Sequence, residues 1–274
     1  MVFLNPCNDV AFKRFFGSED NKSITISFLN SILELTGDKT IVSIDSFNTE
    51  QPSKSSKDKD TIVDVFCVDR AGTEYIVEMQ VGPVEKCNKR MIYYGAKTYS
   101  MQLHRAQSFY KLMPVIVLSI VDYIMFPAKK GYKSIHKILD IDSRENDVHD
   151  LAFVVVELPK FNKTENELVT IEDKWLYFMK EIKKQNHIPA ALDQEELIEV
   201  CNIANRMRWS ETFLYAYDDA EIRMTCQQSS LDLASEEGEK KAQHAMAKKM
   251  LRASTYTIAE IVDITGLTEE EILL

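Results

Sequence analysis

The 274-residue chain reads as an α/β protein, with a mixed central sheet flanked by helices and a helical C-terminal region. Three observations predict this. Residues 61–80, TIVDVFCVDRAGTEYIVEMQ, carry the β-branched and aromatic content of two strands joined by a tight turn. Residues 115–121 form a continuous apolar run, as a strand buried on both faces does. From residue 171 onward the apolar pattern is helical.

Along the chain, residues 8–17 and 21–35 read as two helices. In the second, Ile24, Phe28, Ile32 and Leu35 recur at helical spacing and Gly37 closes it. Ile41, Ile44 and Phe47 mark a first strand with imperfect alternation, and residues 51–60 form a polar loop bearing Lys54, Lys57 and Lys59. The hairpin comes next, with Arg70-Ala71-Gly72 as a three-residue loop and Gly72 at the position that favours a left-handed backbone. A long helix over 86–110 leads into the buried strand, and 132–141 and 150–158 supply two more strands.

Helices are then expected at 175–182, 194–205, 211–227 and 235–252, with the charged run from Glu236 to Lys241 as a solvated face or hinge. Residues 257–272 resemble half of a helix-turn-helix: one helix stops at Gly266, and Thr268 caps the next with Glu271 at the capping-box position. That second helix opens Glu269-Glu270-Glu271, which phosphate repels, so structural or dimer packing is expected of it rather than DNA reading. The division expected is a sheet-bearing domain over 1–160 and an acidic helical region over 161–274.

The hairpin also carries the chemistry. If Asp69 pairs with Thr73, Asp64 lies directly opposite Glu78, and Gln80 shares the face of Glu78 because strand side chains alternate. Like charges facing each other across a sheet are destabilising, so the pair needs solvent or a cation. A hard divalent ion fits: Mg²⁺ foremost, with Mn²⁺ or another divalent ion as alternatives.

Composition narrows the remaining classes. At 45% apolar with eight glycines, the chain can bury a substantial core. The longest apolar run, residues 113–126, is too short to span a bilayer and contains Asp122, so no membrane partner is expected. The amino end has no signal-peptide pattern, and five scattered cysteines without a C-x-x-C suit reduced thiols in the cytoplasm. Cys87 and His104 sit at opposite ends of one expected helix and read as structural rather than as a nucleophilic dyad. No nucleotide-binding glycine loop and no H-E-x-x-H occurs. The net charge is −10, yet residues 1–137 carry 18 Lys+Arg against 15 Asp+Glu. The first half is therefore the candidate nucleic-acid face, and the acidic remainder a solubilising or self-associating segment, a homodimer contact among the options.

Asp64, a turn, then Glu78-x-Gln80 resembles the D…(D/E)-x-K pattern of PD-(D/E)XK nucleases. The set is more specific to the Rpn-type recombination-promoting nucleases, also labelled putative transposases. Asn8-Asp9-Val10-Ala11-Phe12-Lys13-Arg14-Phe15-Phe16-Gly17 is similar to that family's N-D-x-x-F-K-x-x-F-G opening. Glu78-Met79-Gln80 is similar to its I-E-M-Q strand, Arg90 and Tyr94 to its R-x-x-x-Y, and Leu112-Met113-Pro114-Val115 to its L-x-P-V. The resemblance runs from about Asn8 to Phe126. Ala106 and Phe109 replace the family's usual Gly and Tyr, and Gln80 stands where the superfamily has lysine.

The resemblance implies a restriction-endonuclease-like core and a Mg²⁺-dependent DNA endonuclease. Asp64, Glu78 and the Met79 backbone carbonyl would hold the ion, and Gln80 would orient the attacking water. Asp9 and Lys13, four apart on one helix face, are either a surface ion pair or an accessory to the metal or a phosphate. Arg90, Lys89 and Lys59 are the candidate phosphate contacts. The alternative is a catalytically inactive DNA-binding or self-associating protein of the same lineage.

Overall fold

The computed structural model describes residues 1–51, 61–82, 87–103, 108–253 and 255–273. The lysine loop with Lys54, Lys57 and Lys59 lies outside the described residues, as do Lys86, His104 and Ala106.

The chain opens with α1 (Asp9–Phe16) and α2 (Lys22–Ile32). Asn8 starts α1: its side-chain oxygen accepts from the Val10 and Ala11 N–H groups at 3.0 and 3.4 Å, satisfying two of the helix's free donors. A central six-stranded sheet follows, built from β1 (Ile44–Gln51), β2 (Thr61–Asp69), β3 (Glu74–Gln80), β4 (Val115–Val121), β5 (Lys133–Ile138) and β6 (Val148–Glu157). Their order across the sheet is β1-β2-β3-β4-β6-β5. The β3/β4 and β4/β6 pairs are parallel and the other three antiparallel, so the sheet is mixed as expected. The parallel β3/β4 pair requires a crossover, which α3 (Cys87–Met101) provides.

Two cores follow from strand alternation. On one face, Val65, Cys67, Tyr75, Val77, Leu118 and Val154 pack with Phe12, Phe15 and Phe16 of α1 and Phe28 of α2. The same core contains Trp175 and Phe178 of α4 (Ile171–Glu181) and Leu197 and Val200 of α5 (Glu195–Ala204). Its aromatic rings interlock: Trp175 lies 5.5 Å from Phe28 and 6.0 Å from Phe178, edge to face, an arrangement ring quadrupoles favour. On the other face, Ile76, Val115, Val117 and Val155 receive Met91 of α3. Gly95 lets α3 approach, since a Cβ there would stand 3.1 Å from the Phe153 ring and 3.2 Å from Val117.

The described chain divides into two compact units, Met1–Glu221 and Ile222–Leu274. The expected boundary at residue 160 therefore falls inside the first unit. The reason is packing: Trp175 and Phe178 complete the core of α1 and α2. The two helices expected at 211–227 and 235–252 are one helix, α6 (Glu211–Ala253), and the run around Glu236 is a solvated face of it rather than a break.

In the second unit, Ala247 and Met250 pack with Ile261 of α7 (Ile258–Thr265) and Ile272 of α8 (Glu269–Leu273). Gly266 takes the left-handed conformation at φ 70° that ends α7. The Thr268 N–H donates to Glu271 at 2.8 Å and the Glu271 N–H to the Thr268 hydroxyl at 3.3 Å, which is the expected capping box. Among the described residues no helix is long and apolar enough to cross a membrane.

Candidate active site

The β2/β3 register matches the expectation as far as Val65↔Val77, through Phe66↔Ile76, Cys67↔Tyr75 and Val68↔Glu74. The turn closes with the Asp69 N–H donating to Thr73 at 3.0 Å, and Gly72 sits at φ 90°. The ladder then stops. Hydrogen-bonded pairs alternate along an antiparallel ladder, so the Met79 N–H would next donate to the carbonyl of Val63. It donates instead to Asp64 Oδ2 at 2.8 Å. A side chain has replaced a backbone acceptor, and β2 and β3 part at the acidic pair.

Among the described residues each acid is met by one cation, each from a different helix. Lys13 Nζ of α1 lies 3.3 Å from Asp64 Oδ1. Arg90 of α3 donates to Glu78 Oε2 at 2.8 Å. The second oxygen of Glu78, Oε1, is buried and has no hydrogen-bond partner among the described residues, and neither has Arg90 Nε. The Arg90 guanidinium also lies over the Tyr94 ring, 5.6 Å from its centroid.

The electrostatics reflect two buried acids close to each other. Burial, then the Asp64 charge, push the Glu78 carboxyl up to about 7, against the pull of Arg90. Burial likewise raises Asp64, opposed by the Met79 N–H and Lys13, while the Asp9 charge adds to the rise. Tyr94 is raised mainly by burial, with Glu78 and Asp64 contributing and Arg90 opposing. The phenol therefore stands within the field of both carboxylates.

Of the remaining expected residues, Gln80 is half-buried at the end of β3, level with Val121 of β4, and its carbonyl accepts from the Asp122 N–H at 3.2 Å. Asp9 is exposed; it accepts from the Val10 N–H at 2.9 Å and reaches the site through its charge alone. Lys13, one option for which was a surface pair with Asp9, is turned to Asp64. Lys89 is exposed at the start of α3, and Lys59 lies outside the described residues. Arg90, expected at a phosphate, is tied to Glu78.

Asp122 escaped the sequence reading. It accepts from the Gly82 N–H at 2.8 Å and so fixes the chain where it leaves β3. The parallel β3/β4 register that brings it there is a tertiary fact. Cys7, Cys67 and Cys201 are buried thiols pushed up to about 12, unsuited to nucleophilic work.

Among the described residues no group of three or more His, Cys, Asp or Glu side chains could hold a metal ion. The donor set is therefore two carboxylates plus backbone. That set, with a buried carboxylate oxygen left unpartnered, fits a hard dication that keeps several waters.

A family model described as PD-(D/E)XK nuclease family transposase matches residues 6–234. Among curated proteins and solved structures nothing matches the chain. The matched span covers most of the chain, including α1, the hairpin, α3 and the whole sheet, so the chain belongs to the PD-(D/E)XK nuclease family transposases.

Proposed function

We propose that the chain is a Mg²⁺-dependent DNA endonuclease of the Rpn type, acting in recombination or on mobile elements. The observation that carries this reading is Glu78 Oε1, buried and unpartnered among the described residues, beside a second acid whose charge raises its pKa. A site of this kind is satisfied by a dication, and an inactive scaffold has no physical need of it.

Asp64 and Glu78 would hold the ion. In an extended strand the N–H and C=O of one residue point to the same edge. The Met79 N–H faces Asp64, so its carbonyl looks into the same opening between β2 and β3 and can serve as a third ligand. When bound, the ion supplies a polarised phosphate and a water of lowered pKa. Gln80, two residues from Glu78, would orient that water by hydrogen bonding, though a neutral amide cannot stabilise charge as an ammonium would. Lys13 is the cation near Asp64 that takes over part of that work. Arg90, released from Glu78 once an ion is bound, would contact a phosphate, with Lys89 and Lys59 as outer contacts.

The test is nicking of supercoiled plasmid with and without Mg²⁺, by wild type and Asp64→Ala. Mg²⁺-dependent nicking lost in Asp64→Ala is the expected result. Equal nicking by both proteins, or none by either alongside intact DNA binding, favours the second reading of an inactive DNA binder.

A further inference from the structure

A second basic site opens on α1, the helix that also carries Lys13. Arg14, Ile203, Arg208, Trp209, Ser210 and Phe213 line a cavity of about 320 Å³, in the size range of small-ligand clefts. Its platform is rigid. Trp209 Nε1 donates to the Ile203 carbonyl at 2.7 Å, and its ring packs 6.1 Å from Phe15, 5.8 Å from Phe213 and 6.3 Å from Tyr217. Phe213 remains 46% exposed, and Arg14 lies over its ring at 5.5 Å.

The guanidiniums are open. Arg206 is neutralised by Asp218 through two hydrogen bonds of 2.9 and 2.6 Å. Among the described residues neither Arg14 nor Arg208 has a carboxylate partner, and both are exposed. Two unpaired guanidiniums beside exposed aromatic surface match a phosphate linked to a flat base. An acidic peptide would satisfy the arginines but leave Trp209 and Phe213 without a flat partner. A duplex keeps its base faces stacked, so the matching form is single-stranded.

Position supplies the link to the site. Lys13, which meets Asp64, is the immediate neighbour of Arg14 on α1, and consecutive Cα atoms are about 3.8 Å apart. The two side chains flank the outward arc of one helix. We infer that the cleft between α1 and the start of α6 binds an unpaired nucleotide of single-stranded DNA, with Arg14 and Arg208 on phosphate and Trp209 and Phe213 against a base. The choice of DNA rests on the nuclease reading above; the chemistry of the cleft does not.

The experiment uses the full chain in chelator, with short fluorescein-labelled oligo(dT), and follows anisotropy and tryptophan emission. Trp175, the other of the two tryptophans, is fully buried and gives a constant background. Oligo(dT) should quench Trp209. The Arg14→Glu/Arg208→Glu variant should bind at least about tenfold more weakly, with a log affinity–log salt slope shallower by about 0.7 for each phosphate lost. If charge reversal disturbs folding by circular dichroism, Arg14→Gln/Arg208→Gln replaces it. Unchanged affinity in a folded variant, no binding by wild type, or Trp209 emission indifferent to oligo(dT) overturns the inference. Wild-type plasmid nicking is read separately. Its absence, with oligo(dT) binding still dependent on the two arginines, sinks the nuclease reading and leaves this cleft standing.

Discussion

Arg90 donates to one oxygen of Glu78 at 2.8 Å and leaves the other buried without a partner among the described residues. The glutamate is thus half-neutralised in a place that disfavours charge, and its behaviour should betray this in solution.

The first expectation concerns pH. Glu78 is raised from the ordinary carboxylate range to about 7 by burial and the Asp64 charge. The folded state holds this proton more tightly than the unfolded chain. The associated stability is therefore full below the ordinary glutamate pKa and is lost as pH rises through about 7. In chelator, Tm should fall from pH 5 to pH 8, more steeply in wild type than in Glu78→Gln. Adding Mg²⁺ at the upper end should restore it by binding the folded form. A parallel decline in the two proteins would show that Glu78 titrates normally.

Breaking the ion pair gives a second expectation. Arg90→Gln leaves a buried glutamate facing Asp64 without its cation. Fully buried pairs lose about 3–5 kcal/mol on such a cut. Arg90 is 39% exposed at its side chain, so solvent screening reduces this to roughly 1–2 kcal/mol above pH 7. The loss should shrink below pH 5, and Glu78→Gln should rescue it. Denaturant melts of the two single variants and the double variant give the coupling directly, and additive losses would refute it.

The approach of α3 supports a third. Leucine at Gly95 drives side-chain atoms into Phe153 and Val117, where a Cβ alone already stands at 3.1 and 3.2 Å. Overpacking of this kind costs about 1–3 kcal/mol, only partly offset by the roughly 1 kcal/mol that leucine gains over glycine as a helix former. Tm should drop by several degrees. Nicking should fall as well, because α3 carries Arg90 and Tyr94 to the site. An unchanged melt would mean that α3 slides freely on the sheet.

The hairpin could be read from residues alone because every signal in it is local: period-2 alternation, β-branched strands, and Gly72 where a positive φ is needed. Its register held from Val65 to Val68, yet the break at Asp64 was invisible, since a side chain taking the Met79 N–H obeys no sequence period. Lys13 was open between two readings. Helical spacing offered Asp9 as its partner and the family motif offered the acid site, and tertiary placement turns it to Asp64. The boundary at residue 160 follows the change from strands to helices, whereas Trp175 and Phe178 pack back onto α1 and α2. Gly238 did not break α6, because a helix interior tolerates one glycine at a cost of about 1 kcal/mol.

The decisive variant is Asp64→Asn. It nearly conserves shape, and its side-chain oxygen can still accept from the Met79 N–H, so the end of the β2/β3 ladder should persist. What it removes is one anionic oxygen from the proposed ion site, and Mg²⁺ favours such oxygens. Residues that only support a metal site typically cost about 10–100-fold when altered, so loss of a ligand should exceed about 100-fold in Mg²⁺-dependent nicking. Lys13 loses its partner, but at 34% exposure it can turn to solvent, at a cost of at most about 1 kcal/mol. Against this, a buried charge facing Glu78 has gone, and the glutamate's raised pKa should relax toward its ordinary value. Tm in chelator should therefore hold or rise, with the pH slope of the first expectation flattened. DNA binding in chelator should hold or tighten, since a charge that repels phosphate is lost. Mg²⁺-dependent cleavage that survives at the wild-type rate in purified, folded Asp64→Asn would place the chemistry away from this pair of strands.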